Sequence, residues 1–305
     1  MSGKNFTLHT LGCGSAKPNL RHQPSSTILD IRGNLFMIDC GEGAQLAMQK
    51  HRLKFSRLNN IFLTHLHGDH VFGLPGLIGT LGLIQTGGSI TIHTFNEGKK
   101  ILSNIFNYFS RDLPFEIKFN VIEPAKGIIF ENKAITVRTV PLKHRVPTVG
   151  FIFEEKPDLR HINRSACDFH NVPIAMMKRL KEGEDYIRPD GRVIKNEILT
   201  TPPTPARVYA HLSDTSFMPE LADEIRGADL LMHETTYTSN YEKEAEQRGH
   251  STARQAALLA RSAGVKRLLT GHYSSRITND EEFLKEATEI FPDTILNKEG
   301  LVIEV

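Results

Sequence analysis

Apolar and polar residues alternate over residues 6–11, a two-residue period that predicts a strand with one buried face. The strand runs into Gly12-Cys13-Gly14-Ser15, where small side chains let the backbone approach another group closely. Residues 26–31 and 34–38 repeat the strand pattern on either side of Arg32-Gly33, which predicts an antiparallel pair. A helical stretch over 44–51 follows, and the apolar run Ile61-Phe62-Leu63 reads as a buried strand ending at Thr64. Residues 73–81 are apolar and glycine-rich, as in a tightly packed helix. Residues 99–109 predict an amphipathic helix with Ile101, Leu102, Ile105 and Phe109 on its apolar side. Strands are expected over 89–93, 115–122, 128–130, 134–140 and 150–154.

Between residues 156 and 205 the periodicity fades, and Pro and Gly punctuate the chain. Strand patterns resume at 207–211, 228–232, 266–269 and 301–305, with helices near 219–225, over 253–263 and over 280–290. Strands and helices in a first half and again in a second predict an α/β fold, a four-layer αβ/βα sandwich with its site along one edge. Residues 1–305 are then one domain, and 156–205 an insertion between strands the fold would otherwise join closely.

Composition narrows this little. With 39% hydrophobic and 24% charged residues the chain is an ordinary globular protein, able to bury a sizeable core. No secretory leader or membrane-spanning run is expected. Three well-separated cysteines, Cys13, Cys40 and Cys167, read as reduced thiols of a cytoplasmic protein, each a small buried hydrophobe and none needed as a ligand. The net charge of +2 is weak evidence for a nucleic-acid partner, so any RNA-binding charge must be locally concentrated. Residues 156–197 hold nine Lys or Arg against seven Asp or Glu, including Lys178, Arg179 and Lys181. A solvated insertion of mixed charge would look the same.

The chemistry concentrates at His65-Leu66-His67-Gly68-Asp69-His70, where three histidines and an aspartate follow a strand end. On an extended segment His65 and His67 share a side, and Gly68 lets the chain turn so that Asp69 and His70 face a second point. One loop could thus serve two metal ions. Imidazole and carboxylate suit zinc, with manganese or iron as weaker candidates. The alternative is three surface histidines in a polar loop. Elsewhere Asp39 and Asp214 each precede a helical stretch and could be amino-terminal caps. Ser251-Thr252 caps the helix over 253–263, which places His250 beside a helix amino terminus, where anions are favoured. His93 reads as structural.

The run His65-x-His67-x-Asp69-His70, continued by Val71-Phe72-Gly73-Leu74-Pro75-Gly76-Leu77, resembles the signature of the metallo-β-lactamase superfamily, and in its continuation the ribonuclease Z family, which trims the 3′ end of precursor tRNA. His233-Glu234-Thr235-Thr236 resembles that family's His-Glu-Ala-Thr element, with Thr235 in place of alanine, and His250-Ser251-Thr252 its His-Ser-Thr element. Pro18-Asn19-Leu20-Arg21-His22 matches a tRNA-gripping loop only in part.

The resemblance implies a metallo-β-lactamase sandwich holding two zinc ions per subunit. One ion takes His65, His67, His144 and Asp214, and the other Asp69, His70, Asp214 and His272. Asp39 and His233 would support the ligands, Asp69 would accept a proton from water, and His250, oriented by Glu234, would bind the scissile phosphate and protonate the leaving oxygen. Residues 156–205 would be a protruding arm that grips tRNA through Lys178, Arg179 and Lys181, in a cytoplasmic homodimer with no membrane contact. The rivals are another hydrolase of the superfamily, a phosphodiesterase or arylsulfatase, and a non-catalytic nucleic-acid-binding protein.

Overall fold

The computed structural model describes residues 5–84 and 87–305; Met1-Ser2-Gly3-Lys4, where no leader was expected, lie outside them. Residues 155–207 form one compact unit and the rest of the described chain another. The chain begins with β1 (Phe6–Gly12), β2 (Ser26–Ile31), β3 (Asn34–Ile38), β4 (Leu58–Phe62), β5 (Ser89–Thr94), β6 (Glu116–Val121), β7 (Gly127–Glu131), β8 (Ile135–Leu142) and β9 (Thr148–Glu155). The smaller unit holds β10 (His161–Ile162), β11 (Tyr186–Ile187), β12 (Val193–Ile194) and β13 (Thr200–Thr201). The chain closes with β14 (Val208–Leu212), β15 (Leu230–His233), β16 (Leu268–Leu269), β17 (Thr294–Ile295) and β18 (Val302–Glu304).

In the larger unit, seven strands form one sheet in the order β18-β1-β2-β3-β4-β5-β6 and seven another in the order β17-β16-β15-β14-β9-β8-β7. Strand alternation explains the layering. Phe6, Leu29, Phe36 and Phe62 of the first sheet pack in one buried cluster with Val137, Phe151, Phe153 and Tyr209 of the second. Ile28, Leu35, Ile61 and Ile92 pack instead with Met48, Leu77 and Leu102 of the helices Ala44–Lys50, Gly73–Leu83 and Asn96–Phe109. On the second sheet Val140, Ile152, Ala210 and Leu231 meet Ala256, Leu259 and Phe283 of the helices Ala253–Ala263 and Glu281–Thr288. The layers therefore run helix, sheet, sheet, helix, the expected sandwich.

The helix Asn96–Phe109 corrects one expectation. Ile101 and Phe109 are 55% and 76% exposed, and the buried residues are Gly98, Leu102 and Phe106. These three lie four residues apart, on one face. Gly98 sets that face, since a Cβ there would lie 2.2 Å from Thr94 Oγ1 and 2.8 Å from Leu66 Cδ2. A residue with no side chain leaves no mark in a hydrophobicity pattern.

Phe62 ends β4, just before the loop of His65, His67, Asp69 and His70. Its ring stacks on His93 at 4.1 Å and meets Phe151 and Phe153 edge-on, each at 5.4 Å. His93 is bonded to Asn60 at 3.0 Å and, with burial pushing its pKa down to about 3, stays neutral, in keeping with a structural role. Phe62→Ala should lower unfolding free energy by about 3–5 kcal/mol, as for other large-to-small core changes. Urea titration followed by circular dichroism measures it.

The unit of residues 155–207 is not without a core. Cys167, Val172, Leu180, Tyr186 and Leu199 are buried together, under two two-stranded ribbons, β10-β13 and β11-β12. Lys178, Arg179 and Lys181 lie exposed on the short helix Met177–Lys181. Much of the unit's positive charge is internally paired, Arg164 with Asp168, Arg179 with Glu184, Arg192 with Asp190 and Lys195 with Asp185.

Candidate metal centre

The site is built from loops that leave strands of both sheets. β4 stops at Phe62 rather than Thr64, because the Thr64 N–H donates to Asp39 Oδ1 (2.8 Å) instead of continuing the ladder. Thr64 Oγ1 donates to Asp39 Oδ2 (2.8 Å) and accepts from His65 Nδ1 (3.1 Å), which turns His65 Nε2 inward. His70, on the turn after Gly68, gives its Nδ1 proton to the same Asp39 Oδ2 (2.7 Å), so its Nε2 also faces inward. Asp39 is not a helix cap: the helix Ala44–Lys50 is capped at Gly43. It stands at φ 55°, as does His272 at φ 60°, the left-handed conformation that side-chain-bearing residues rarely adopt and that clusters at functional sites.

The second sheet brings the remaining groups. His144, two residues beyond β8, donates through Nδ1 to the Gly249 carbonyl (2.7 Å), leaving Nε2 inward. Gly249 ends the helix Glu242–Arg248 at φ 73°, and a Cβ there would lie 3.0 Å from His144 Nδ1, so glycine meets both demands. His272, beyond β16, donates through Nδ1 to Thr236 Oγ1 (2.8 Å). Asp214 follows β14; the short turn Pro219–Ala222 is capped at Met218, so Asp214 is not its cap.

Two groups of inward atoms result, and Asp214, His250 and His272 form a third that overlaps them. The ligating atoms of His65, His67, His144 and Asp214 all lie within 4.8 Å of one another, as do those of Asp69, His70 and His272. His67 Nδ1 is 3.0 Å from His65 Nε2 and 3.4 Å from His144 Nε2, while Asp214 Oδ2 is 3.7 and 3.8 Å from those same Nε2 atoms. In the second group His70 Nε2 and His272 Nε2 are 3.3 Å apart, and each lies 3.5 Å from Asp69 Oδ2. Asp214 Oδ1 is 3.4 and 3.2 Å from these two nitrogens. Bonds of ~2.0–2.2 Å in a tetrahedron give edges of about 3.3–3.6 Å. With Nδ1 of His65, His70, His144 and His272 held by these partners, their Nε2 atoms face the shared space, as does Nδ1 of His67. That donor set suits a divalent metal. Burial pushes the Asp214 carboxyl up, but the imidazoles of His272, His70 and His65 outweigh it and hold it well below the usual range.

Beside these groups, Glu234 is fully buried and fully satisfied. Its Oε1 accepts from the Thr215 N–H (2.9 Å), its Oε2 from the Thr236 N–H (3.0 Å) and Oγ1 (2.6 Å), and its Oε1 also from His250 Nδ1 (2.8 Å). Burial disfavours charge on His250, yet the charge of Glu234 and its hydrogen bond raise the imidazole to about 8. His233 stands apart: its Nδ1 lies 2.6 Å from the Glu234 carbonyl, and among the described residues its Nε2 has no partner. A cleft of about 560 Å³ opens over Asp69, Asp214 and His250, and Lys17, Arg145, Arg248 and Arg276 line it. The Ala16 N–H, which donates to Asp69 Oδ2 at 2.7 Å, is a site group that the sequence reading missed, and Thr236 and Gly249, which stood only in motifs, hold His272 and His144.

The sandwich and its ligand groups define a metallo-β-lactamase-fold hydrolase. Solved structures agree in fold: the short form of human tRNase Z superposes with a TM-score of 0.70 at 24% identity, over 98% of this chain and 99% of that one. The metallo-β-lactamase fold protein YhfI of Bacillus subtilis gives 0.70 at 16% identity, over 99% and 100%. The family described as Anti-Pycsar protein Apyc1 matches residues 6–259. Ribonuclease Z of Parabacteroides distasonis is 47% identical over 302 residues, 99% of each chain, and that of Bacteroides fragilis strain YCH46 is 46% identical over 303 residues, 99% of this chain and 100% of that one. The chain belongs to the ribonuclease Z family and is an endoribonuclease that hydrolyses phosphodiester bonds.

Proposed function

We propose that the chain removes the 3′ trailer from precursor tRNA with two zinc ions per subunit, leaving a 3′-hydroxyl on the tRNA and a 5′-phosphate on the trailer. The observation that carries this reading is the single carboxylate of Asp214, facing one donor group with each oxygen beside the His250–Glu234 pair. His65, His67, His144 and Asp214 would hold one ion, and Asp69, His70, His272 and Asp214 the other. Bound there, they supply Lewis-acid stabilisation of charge on the phosphoryl oxygens and acidify water.

The chain's own groups do the rest. Asp69 accepts the proton of the attacking water while the Ala16 N–H fixes its orientation. His250, with Nδ1 taken by Glu234, presents Nε2 to the scissile phosphate and gives a proton to the departing 5′ oxygen of the trailer. Lys17, Arg145, Arg248 and Arg276 hold the flanking phosphates in the cleft. Thr64, Asp39, Thr236 and the Gly249 carbonyl fix the imidazole tautomers. The unit of residues 155–207 grips the tRNA, with Lys178, Arg179 and Lys181 among its contacts, in a cytoplasmic homodimer. Among the described residues no helix is long and apolar enough to cross a membrane.

The test is zinc-loaded protein incubated with an end-labelled precursor tRNA bearing a 3′ trailer. A single cut just beyond the acceptor stem is expected. Deleting residues 160–195 should weaken that cleavage by about tenfold or more and spare a small phosphodiester. Small phosphodiesters hydrolysed with no tRNA cut would discard the tRNA reading, and equal losses on both substrates would make residues 155–207 structural only.

A further inference from the structure

A second donor cluster lies outside the centre described above. Cys13, His22 and Glu299 offer a thiol, an imidazole and a carboxylate whose ligating atoms fall within 4.8 Å of one another. Cys13 Sγ is 3.5 Å from His22 Nδ1 and 3.5 Å from Glu299 Oε1, and His22 Nδ1 is 3.2 Å from Glu299 Oε2. Zinc bonds of ~2.3 Å to sulfur and ~2.0–2.2 Å to nitrogen and oxygen subtend tetrahedral edges of about 3.3–3.7 Å. Cys13 and His22 are buried, and the Glu299 side chain is 22% exposed, leaving a way in.

The surroundings orient these groups as a ligand set. His22 Nε2 is 2.8 Å from Asp280 Oδ2, so a carboxylate holds the far side of the ring and aims Nδ1 at the thiol. Glu299 Oε1 accepts the backbone N–H groups of Gln23 (2.9 Å) and Cys13 (3.4 Å), which turns Oε2 toward His22. The same loop carries Ser15, whose N–H bonds to the Tyr273 carbonyl at 3.1 Å, and Ala16, whose N–H bonds to Asp69. A cross-link at Cys13 and His22 therefore braces the loop that orients Asp69.

We propose that Cys13, His22 and Glu299 form a third, structural zinc site, with Asp280 as the supporting carboxylate and water in the fourth position. On binding, the thiol proton and the Nδ1 proton of His22 leave to solvent, and the Nε2 proton stays on the hydrogen bond to Asp280. Burial and Glu299 push the Cys13 thiol well up, so without a cation it stays protonated and the cluster is a hydrogen-bonded ion pair.

Sulfur separates this site from the centre. The other His, Asp and Glu groups among the described residues that could hold an ion contain no cysteine. The metal-stripped full-length chain, titrated with cobalt(II) alone, should show thiolate-to-cobalt charge-transfer absorption on top of the weaker visible bands of the histidine–aspartate centre. Cys13→Ser should abolish the charge-transfer band, keep the visible bands and reduce bound metal by one equivalent per chain. Glu299→Gln, nearly the same in shape, should weaken cobalt binding at this site tenfold or more. Wild-type protein saturated with cobalt but lacking the thiolate band would overturn the proposal and leave the cluster as an ion pair. That reading needs no activity assay, so it stands or falls apart from the tRNA reading.

Discussion

Asp69→Ala is expected to reduce turnover on every phosphodiester substrate by about 10⁴-fold, the upper range for removing a positioned proton acceptor. The physical reason is that Asp69 serves three neighbours through one oxygen: His70 Nε2 and His272 Nε2 at 3.5 Å each, and the Ala16 N–H at 2.7 Å. Burial pushes its carboxyl up, but the hydrogen bond to His272 and the charges of His70 and His272 dominate and hold it well below the usual carboxylate range. It therefore stays ionised at neutral pH, with its oxygens free of a proton. Asp69→Asn retains an oxygen for Ala16 and separates the loop tether from proton acceptance. Single-turnover cleavage, with metal content measured on the same samples, decides the matter. An alanine variant keeping more than a tenth of wild-type turnover would exclude Asp69 from the role.

The second large effect concerns His250. His250→Ala should lower kcat by about 10²–10⁴-fold, with metal content measured on the same samples because His250 also lies beside Asp214 and His272. Its acid form is the working one. With the imidazole raised to about 8, that form is present below pH 8 and disappears above it, so kcat should fall on the alkaline side near that value. Glu234 is the group that raises it, so Glu234→Gln should move the alkaline limb to lower pH. A pH–rate profile of both proteins tests the sign. An alkaline limb that stays in place in Glu234→Gln would remove Glu234 from the control of His250.

Sequence reading reached the centre unevenly, for physical reasons. Three imidazoles and a carboxylate within six residues are too dense for a core or an ordinary surface, so residues 65–70 declare themselves. His144, Asp214 and His272 are single residues at strand ends, and only the family resemblance picked them out. The roles of the Thr236 hydroxyl, the Gly249 carbonyl and the Ala16 N–H were out of reach, because hydroxyls and backbone groups occur everywhere and only folding brings them to a candidate ligand. Cys13, His22 and Glu299 are separated by as many as 286 positions, so their meeting leaves no local pattern. Strand alternation carried the sandwich. It failed for residues 155–207, whose small core of Cys167, Val172, Leu180, Tyr186 and Leu199 follows neither period.

The distribution of the centre over both sheets has a consequence for biosynthesis. The first four candidate ligands leave the ribosome together, but His144, Asp214 and His272 follow at long intervals. The first sheet is likewise closed by its edge strand β18, which pairs with β1. A nascent chain thus presents half a centre on an unfinished sheet. A chain that has not yet reached His272 lacks one member of the second donor group, so that group can assemble only after both halves of the sandwich have left the ribosome.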